Sequence, residues 1–421
     1  MSAERNWGGN IAFHARRLHS PESVGALQEI VARSERIRPL GTRHSFSTVA
    51  DTDGDHVSTA ALPPVVDVDS AARTATVSSG LRFGEIAGTI DRAGFALHNL
   101  GSLPHISVAG ACATGTHGSG TANACLAGAV RALNMVTADG EQVEVRRGDP
   151  DFEGSVVSLG ALGIVTHLTL DLLPAFSVRQ WVYDDMPREE LGRNFAEVMS
   201  AGYSVSAFTR WQDPVLEQVW LKERVEDPSA PPAPAPREWY GAVLADGPRH
   251  PVPGMPAAHC TPQNGDVGSW YERLPHFRME FTPSSGEEIQ SEYFVDRADA
   301  PAAFDALWEV REHFAPAVQI GEIRAIAADE LWLSPAFGRD SVAFHFTWIP
   351  DTAAVLPALK AIEQALRPFS ARPHWGKLFT TPAADLPALY PRYDDFRALA
   401  ARRDPNGTFR NDYLREFFPG R

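Results

Sequence analysis

The sequence is poor in cysteine, in positive charge and in long apolar runs, and each shortage removes a class of protein. Cysteine occurs three times in 421 residues, at Cys112, Cys125 and Cys260, with no C-x-x-C spacing. Any disulfide would strand one thiol, so a reducing compartment is expected. Lys and Arg total 38 against 53 Asp and Glu, a formal net charge of −15. Nucleic-acid binding relies on cations that neutralise phosphates, so no nucleic-acid partner is expected. Anionic membrane surfaces are disfavoured for the same reason. No run reaches the ~18 apolar residues of a membrane-spanning helix. The opening Met-Ser-Ala-Glu-Arg-Asn-Trp-Gly-Gly-Asn has no apolar signal core, which makes a cytoplasmic location the expectation. H-E-x-x-H, G-x-S-x-G and zinc spacings are missing, and Gly376-Lys377 is followed by Leu rather than completing a P-loop, so no metal is expected.

What is present suggests two or three domains of ordinary globular composition, 44% apolar and 22% charged. The first 175 residues alternate strand and helix patterns. Ser20-Pro21-Glu22 reads as a helix N-cap, and Val24, Leu27, Ile30 and Val31 form the stripe behind it. Phe83, Ile86, Ala87 and Ile90 form a second stripe that stops at Gly94. Val65–Val68 and Thr74–Val77 read as strands. Leu133–Thr137 and Gln142–Val145 flank Asp139-Gly140, a hairpin signal, and Ile164–Leu172 is a further strand. Residues 228–262, rich in Pro and Ala, read as a surface excursion or linker. Asn406-Gly407-Thr408 reads as a turn.

Two features carry chemistry. Arg38-Pro-Leu-Gly-Thr-Arg-His-Ser-Phe46 sets His44 in a tight turn, a poor place for a core residue and a good one for a cofactor loop. About 70 residues on, Ser107–Gly120 gathers Gly110, Gly115, Gly118 and Gly120 with Ser107, Thr114, Thr116 and His117. Its G-x-x-G-x-G is not the dinucleotide G-x-G-x-x-G, but its backbone donors suit an anion. The second feature is alternation. In Ser341–Trp348, Val342, Phe344, Phe346 and Trp348 share one face of a strand, and His345 and Thr347 share the other. Glu322 and Arg324 pair in the same way, as do Arg278 and Glu280 within Phe277–Phe281. His374-Trp-Gly-Lys377 adds a cation between bulky residues. An antiparallel sheet with one apolar and one charged face follows.

Taken together, Pro39–Phe46, Gly101-Ser-Leu-Pro-His-Ile-Ser-Val-Ala-Gly110 and Ala113–Gly120 resemble the FAD-binding domain of the vanillyl-alcohol-oxidase superfamily. Glu322-Ile-Arg324, His345-Phe-Thr347 and His374–Lys377 are similar to its alditol and aldonolactone oxidase branch. The resemblance runs from Asn6 to Asp404-Pro-Asn-Gly-Thr-Phe409. It implies an α+β protein with a two-subdomain FAD-binding domain over 1–175. A cap domain over 176–380 would carry an antiparallel sheet flanked by helices, and residues 381–421 would pack back near the FAD domain. It implies FAD bonded covalently through its 8α-methyl to His44. Gly41, Thr42, Arg43, Ser45, Ser102, Ser107, Gly110, Thr114, Gly115, Thr116, His117 and Val165 would line the cofactor. Arg43 departs from the small residue expected before this histidine and sets a cation near the attachment point.

The same resemblance assigns Ser102, Glu322, Arg324, Thr347 and Lys377 to a polyol substrate. The implied reaction is oxidation of the terminal primary alcohol of an alditol such as xylitol or sorbitol. Hydride would pass to flavin N5, and O2 would be reduced to H2O2. His345 is the candidate base, with Arg324 and Lys377 as stabilisers of developing charge. Gly101, lacking a side chain, would leave room for oxygen over the flavin. The alternatives are an aldonolactone oxidase or dehydrogenase, and a catalytically silent flavin- or polyol-binding protein, which would have lost the polar set. The partners implied are a small polyol and O2, for a monomer.

Overall fold

A computed structural model describes residues 4–226, 234–280 and 288–420. The N-terminal part holds two sheets. Leu18–His19, Asp55–Val57 and Ile37–Pro39 form a three-stranded parallel sheet. Helix Val24–Arg33 covers it with Leu27 and Val31, which pack with Ile37, Val57, Val136, Ile164 and Phe409. The cap of this helix is Ser23, whose hydroxyl accepts from the Ala26 N–H, rather than Ser20. Pro21 is buried in an extended stretch, and Ser23 directly precedes the first residue of the apolar stripe.

The second sheet is antiparallel, in the order Val66–Asp69, Thr74–Ser78, Ile164–Asp171, Val130–Val136 and Gln142–Arg146. Asp139-Gly140 makes the hairpin turn, Gly140 adopting φ 82°. Helix Phe83–Arg92 buries Phe83, Ile86, Ala87 and Ile90 and stops before Gly94, at φ 85°. The left-handed backbone there is one that glycine takes without cost.

From Ser177 the chain builds a ten-stranded sheet. Its middle runs Ser177–Pro187, Val215–Val225, Ser204–Thr209, Val318–Ile326, Ser341–Trp348 and Ile289–Asp296, all antiparallel. Val342, Phe344, Phe346 and Trp348 lie in a core with Phe304 and Leu307 of helix Ala300–Glu309 and Leu359 and Ile362 of helix Thr352–Leu366. The alternating pattern thus sends one face of the sheet to helices and the other to the cavity. Among the C-terminal residues, Tyr390, Phe396, Tyr413, Leu414 and Phe418 join the core of the N-terminal sheets.

Two expectations fail. The 277–281 segment is not a strand: Phe277 makes one isolated bridge to Cys260, Met279 and Glu280 lie in a turn, and Phe281 lies outside the described residues. Arg278 donates to the Cys260 carbonyl at 2.8 Å instead of lining a sheet face. Nor is 228–262 simply a linker. Residues 227–233 lie outside the described set, but Glu238–Trp239 and Ala242–Leu244 add a hairpin to the sheet edge, and Cys260 is buried. Trp239, Tyr240 and Ala242 supply the apolar surface that docks it.

Candidate active site

A cavity of about 400 Å³ lies between the two N-terminal sheets and the polar face of the ten-stranded sheet. Its first wall is made of loops. Gly41, Thr42, Arg43, His44, Ser45, Ser102, Ser107, Gly110, Thr114, Thr116, His117 and Val165 line it, as does Gly101. Buried Arg38 anchors these loops. Its guanidinium donates to the carbonyls of Leu159 (2.7 Å) and Gly160 (2.9 Å), of Phe409 (2.8 Å) and of Val49, so three other segments meet at one side chain. Gly41 and Gly110 approach Ser107 closely. A Cβ would stand 2.6 Å and 2.8 Å from its Oγ.

The glycine-rich stretch is less open than its composition suggests. Val108–Ala113 is a short helix with Val108, Ala111 and Cys112 buried, because apolar side chains in a row find the core. Gly115 does not line the cavity. It turns away at φ 72°, where a Cβ would meet Pro335 at 3.1 Å. His117 lines the cavity but is committed. Its Nδ1 meets the Gly118 carbonyl at 2.8 Å and its Nε2 meets Glu292 at 3.1 Å.

His44 stacks on Trp7, with centroids 5.2 Å apart and planes at 24°. Its Nδ1 is buried with no hydrogen-bond partner among the described residues. Burial pushes the ring down to about 4, His105 adding to the effect, so the imidazole is neutral. A buried, unpaired nucleophilic nitrogen at the edge of a glycine-lined cradle suits a bond to a cofactor. Arg43 adopts φ 65°, and its guanidinium pairs with Glu4 at the surface.

The second wall is built by strand register. Glu292, His345 and Glu322 are Cα partners across three neighbouring strands. One pleat along lies Arg324, and one pleat the other way lie Gln290 and Thr347. Glu292 is the hub of the charges. Its Oε1 accepts from Arg324 (2.7 Å) and meets His117, while its Oε2 pairs with Lys377 Nζ at 3.0 Å. Glu322 Oε1 meets His276 Nε2 at 2.8 Å and Arg324 Nε at 3.5 Å. Arg324 also reaches Ser102 Oγ at 3.5 Å. The Gln290 amide N–H donates to Glu288 (2.6 Å), which turns its carbonyl oxygen towards His345 Nε2 at 3.2 Å.

Burial alone would raise the Glu322 carboxyl, but Arg324 and then His276 outweigh it and hold it well below the usual range. For Glu292 burial is likewise outweighed, first by Lys377, then by His117 and Arg324. Burial, reinforced by Lys377, pushes His345 well down. Arg324 and Lys377 therefore stand against the Glu292 and Glu322 carboxylates, with a neutral imidazole between them, while burial raises the third carboxyl of the cavity, Glu288, above its ordinary range.

The structure brings together every site residue named from the sequence except Gly115. It adds Glu288, Gln290, Glu292 and His276, which line the same cavity. Gln290 and Glu292 were findable: they alternate with Ile289, Ser291 and Tyr293 by the same period of two. His276 had no such signal, because it projects from an irregular segment.

This geometry sets a loop-lined cradle against a charged sheet, the arrangement of an enzyme that holds a cofactor in one wall and its substrate on the other. Family models match over residues 16–146 as an FAD binding domain and over residues 284–417 as D-arabinono-1,4-lactone oxidase. The chain is 51% identical over 422 residues to an alditol oxidase of Streptomyces sp. (strain IKD472 / FERM P-14339), covering 100% of each. It is 27% identical to L-gulono-1,4-lactone dehydrogenase of Mycobacterium tuberculosis, covering 97% of each. Among solved structures, cholesterol oxidase from B. sterolicum superposes with TM-score 0.79 at 17% identity, over 99% of this chain and 97% of that one. Xylooligosaccharide oxidase from Myceliophthora thermophila C1 gives 0.73 at 13%, over 99% and 93%. The chain belongs to the vanillyl-alcohol-oxidase family of flavoenzymes, in the branch of the alditol and aldonolactone oxidases.

Proposed function

We propose that the protein oxidises the terminal primary alcohol of alditols such as xylitol and sorbitol to the aldose, with O2 as electron acceptor and H2O2 as product, and that His44 holds FAD covalently. The observation that carries the substrate class is the balanced charge of the sheet face. Two cations fixed by two buried carboxylates offer directed hydrogen bonds without net charge, which suits a neutral, hydroxyl-rich chain. Ser102 and Thr347 add hydroxyls at its edge.

Held by His44 and the loops of the first wall, FAD would supply the two-electron acceptor for the alcohol's hydride. His345 takes the hydroxyl proton. Its Nε2–H is spent on Gln290, which leaves Nδ1, buried and unpartnered among the described residues, as the accepting atom. Arg324 and Lys377, held by Glu292, stabilise the negative charge that grows on the alcohol oxygen. Glu322 accepts from a substrate hydroxyl and fixes the chain's register. At Gly101 a Cβ would make only ordinary contacts, the nearest 3.6 Å from Ile106. Gly101→Ala should therefore fold normally and slow reoxidation by O2. We read the protein as a cytoplasmic monomer; among the described residues no helix is long and apolar enough to cross a membrane.

A second reading, oxidation of an aldonolactone, is favoured by the family model over 284–417. One experiment separates the two. Xylitol, sorbitol and L-gulono-1,4-lactone are added anaerobically, flavin bleaching is followed, and peroxide is measured on admitting air. Faster bleaching by the lactone would overturn the alditol reading, and absence of peroxide would overturn the oxidase. Yellow colour released into the supernatant on acid precipitation would refute the covalent link.

A further inference from the structure

Lys222 lies on the Val215–Val225 strand, outside the cavity lining and fully buried at 0% exposure. A lysine almost never sits in a core without partners that use its charge. Here the Nζ donates to the carbonyls of Leu274 (2.5 Å) and Pro275 (3.1 Å) and lies 3.3 Å from His276 Nδ1. We propose that Lys222 is a positioning residue for the reaction, acting through His276 to aim the Glu322 carboxylate at the substrate. This deepens the reading of Glu322 given above and rests on it.

The direction of the chain follows from donor chemistry. An ammonium has three N–H groups and no acceptor, so His276 Nδ1 must accept. The proton of the neutral ring is then on Nε2, which faces Glu322 Oε1 at 2.8 Å. With the His276 hydrogen bond and the nearest approach of Arg324 both on Oε1, no hydrogen bond among the described residues occupies Oε2, which is left for a substrate hydroxyl. The ring cannot easily swing away. Trp220 and Phe208 meet it edge-on at 5.0 Å and 5.7 Å, and its backbone N–H donates to the Ser102 carbonyl at 3.0 Å. The lysine therefore holds Nδ1 of the ring, the ring's Nε2–H holds the carboxylate, and the backbone of His276 ties down the Ser102 loop. Burial pushes the ammonium down to about 7, with Glu322 the largest opposing influence, so the charge it keeps is coupled to that carboxylate.

Without Lys222 the imidazole keeps its Nε2–H on Glu322, since a carboxylate only accepts, but Nδ1 loses its donor and the ring loses one of its two polar anchors. The test is a double-mutant cycle on the FAD-loaded enzyme with xylitol, using Lys222→Met, His276→Phe and the pair. Each single change should lower kcat/KM about tenfold, mostly through KM. The pair should be no worse than His276→Phe alone, because one residue acts through the other. Lys222→Gln, which keeps an N–H for Nδ1, should recover most of the loss. Should Lys222→Met fail to fold, the same cycle is run with Lys222→Ala, which also removes the donor to Nδ1. Multiplicative losses, or a Lys222→Met enzyme with unchanged KM, would overturn the proposal. Glu322→Gln is the control: unchanged kinetics there would sink the site reading itself, whereas an impaired Glu322→Gln beside a normal Lys222→Met sinks only the role of the lysine.

Discussion

On one side of the cavity the chain presents glycines, small hydroxyls, main-chain groups, the histidines His44 and His117, and Arg43 paired outward with Glu4. On the other it presents Glu292, Glu322, Arg324 and His345 on strands in register, with Lys377 reaching in from the bend that follows Arg372–Pro373. The loop wall is shaped by close backbone approach, as at Gly41 and Gly110 against Ser107. The sheet wall is held by buried ion pairs. A ligand surface made of backbone needs little from any side chain, so its tolerance is set by space. A surface made of buried charge is coupled throughout, because removing one charge strands its partners in low dielectric.

The comparison is tested hardest at Glu292, which faces Arg324, Lys377 and His117 together. Glu292→Ala leaves two buried cations without their main counter-charge. A loss of about 3–5 kcal/mol in unfolding free energy is expected, read by chemical denaturation of the flavin-loaded protein. A loss below about 1 kcal/mol would mean that the sheet wall is as loosely coupled as the loops.

The contrast also explains what the sequence disclosed. The loop wall was legible because cofactor loops gather unusual residue types within a few positions, as Gly41 to Ser45 and Ser107 to His117 do. The charged sheet face was legible wherever alternation was strict, at Glu322–Arg324 and at His345–Thr347. The same rule would have reached Gln290 and Glu292, but the Glu287-Glu288 approach and the Tyr-Phe pair blur the pattern. Lys222 and His276 were hidden for a different reason. Their roles depend on partners about 50 to 100 residues away and on one irregular segment, and the charge on Lys222 reads as a surface residue. Gly115 was over-read, since a glycine within such a motif serves a turn as readily as a ligand.

A pH titration should show the buried histidines and the buried carboxylates separately. Burial holds His276 down to about 4 and His374 to about 3, against an ordinary 6.5. The unfolded chain binds their protons first, so stability is lost as pH falls from 6.5 towards 4, by about 1.4 kcal/mol per pH unit for each histidine. Glu292 and Glu322, held below the ordinary 4.5, contribute stability that is complete above that value and lost at still lower pH. His276→Phe should flatten the upper part of the curve. A melting temperature independent of pH between 4 and 6.5 would contradict these assignments.

In catalysis the sheet wall should again dominate. Glu322→Gln and Lys377→Met each remove a charge-assisted contact worth about 1.5–3 kcal/mol, so kcat/KM for xylitol should fall about 10- to 100-fold. Flavin content should stay unchanged. On the loop wall His44→Ala should do the reverse in kind, abolishing acid-stable flavin while leaving the fold intact. If His44→Ala retained flavin after denaturation, the division of labour between the walls would be wrong.

The smallest effect should come from the one cation on the loop wall. Arg43 lines the cavity, yet its guanidinium pairs with Glu4 where both side chains are about two-fifths exposed, at 42% and 40%. Solvent screens such a pair to about 0–1 kcal/mol. Its backbone, at φ 65°, is strained for any residue with a Cβ, by about 1–2 kcal/mol. Arg43→Gly relieves that strain, loses the pair and adds about 0.5–1 kcal/mol of unfolded-chain entropy. These contributions oppose one another, so stability should stay within about 1 kcal/mol of the parent. The acid-stable flavin should not change, because His44 is held by burial and by Trp7 rather than by its neighbour's charge. Were Arg43→Gly to cost as much activity as Lys377→Met, a side-chain charge would be governing the loop wall too, and the contrast between the two walls would collapse.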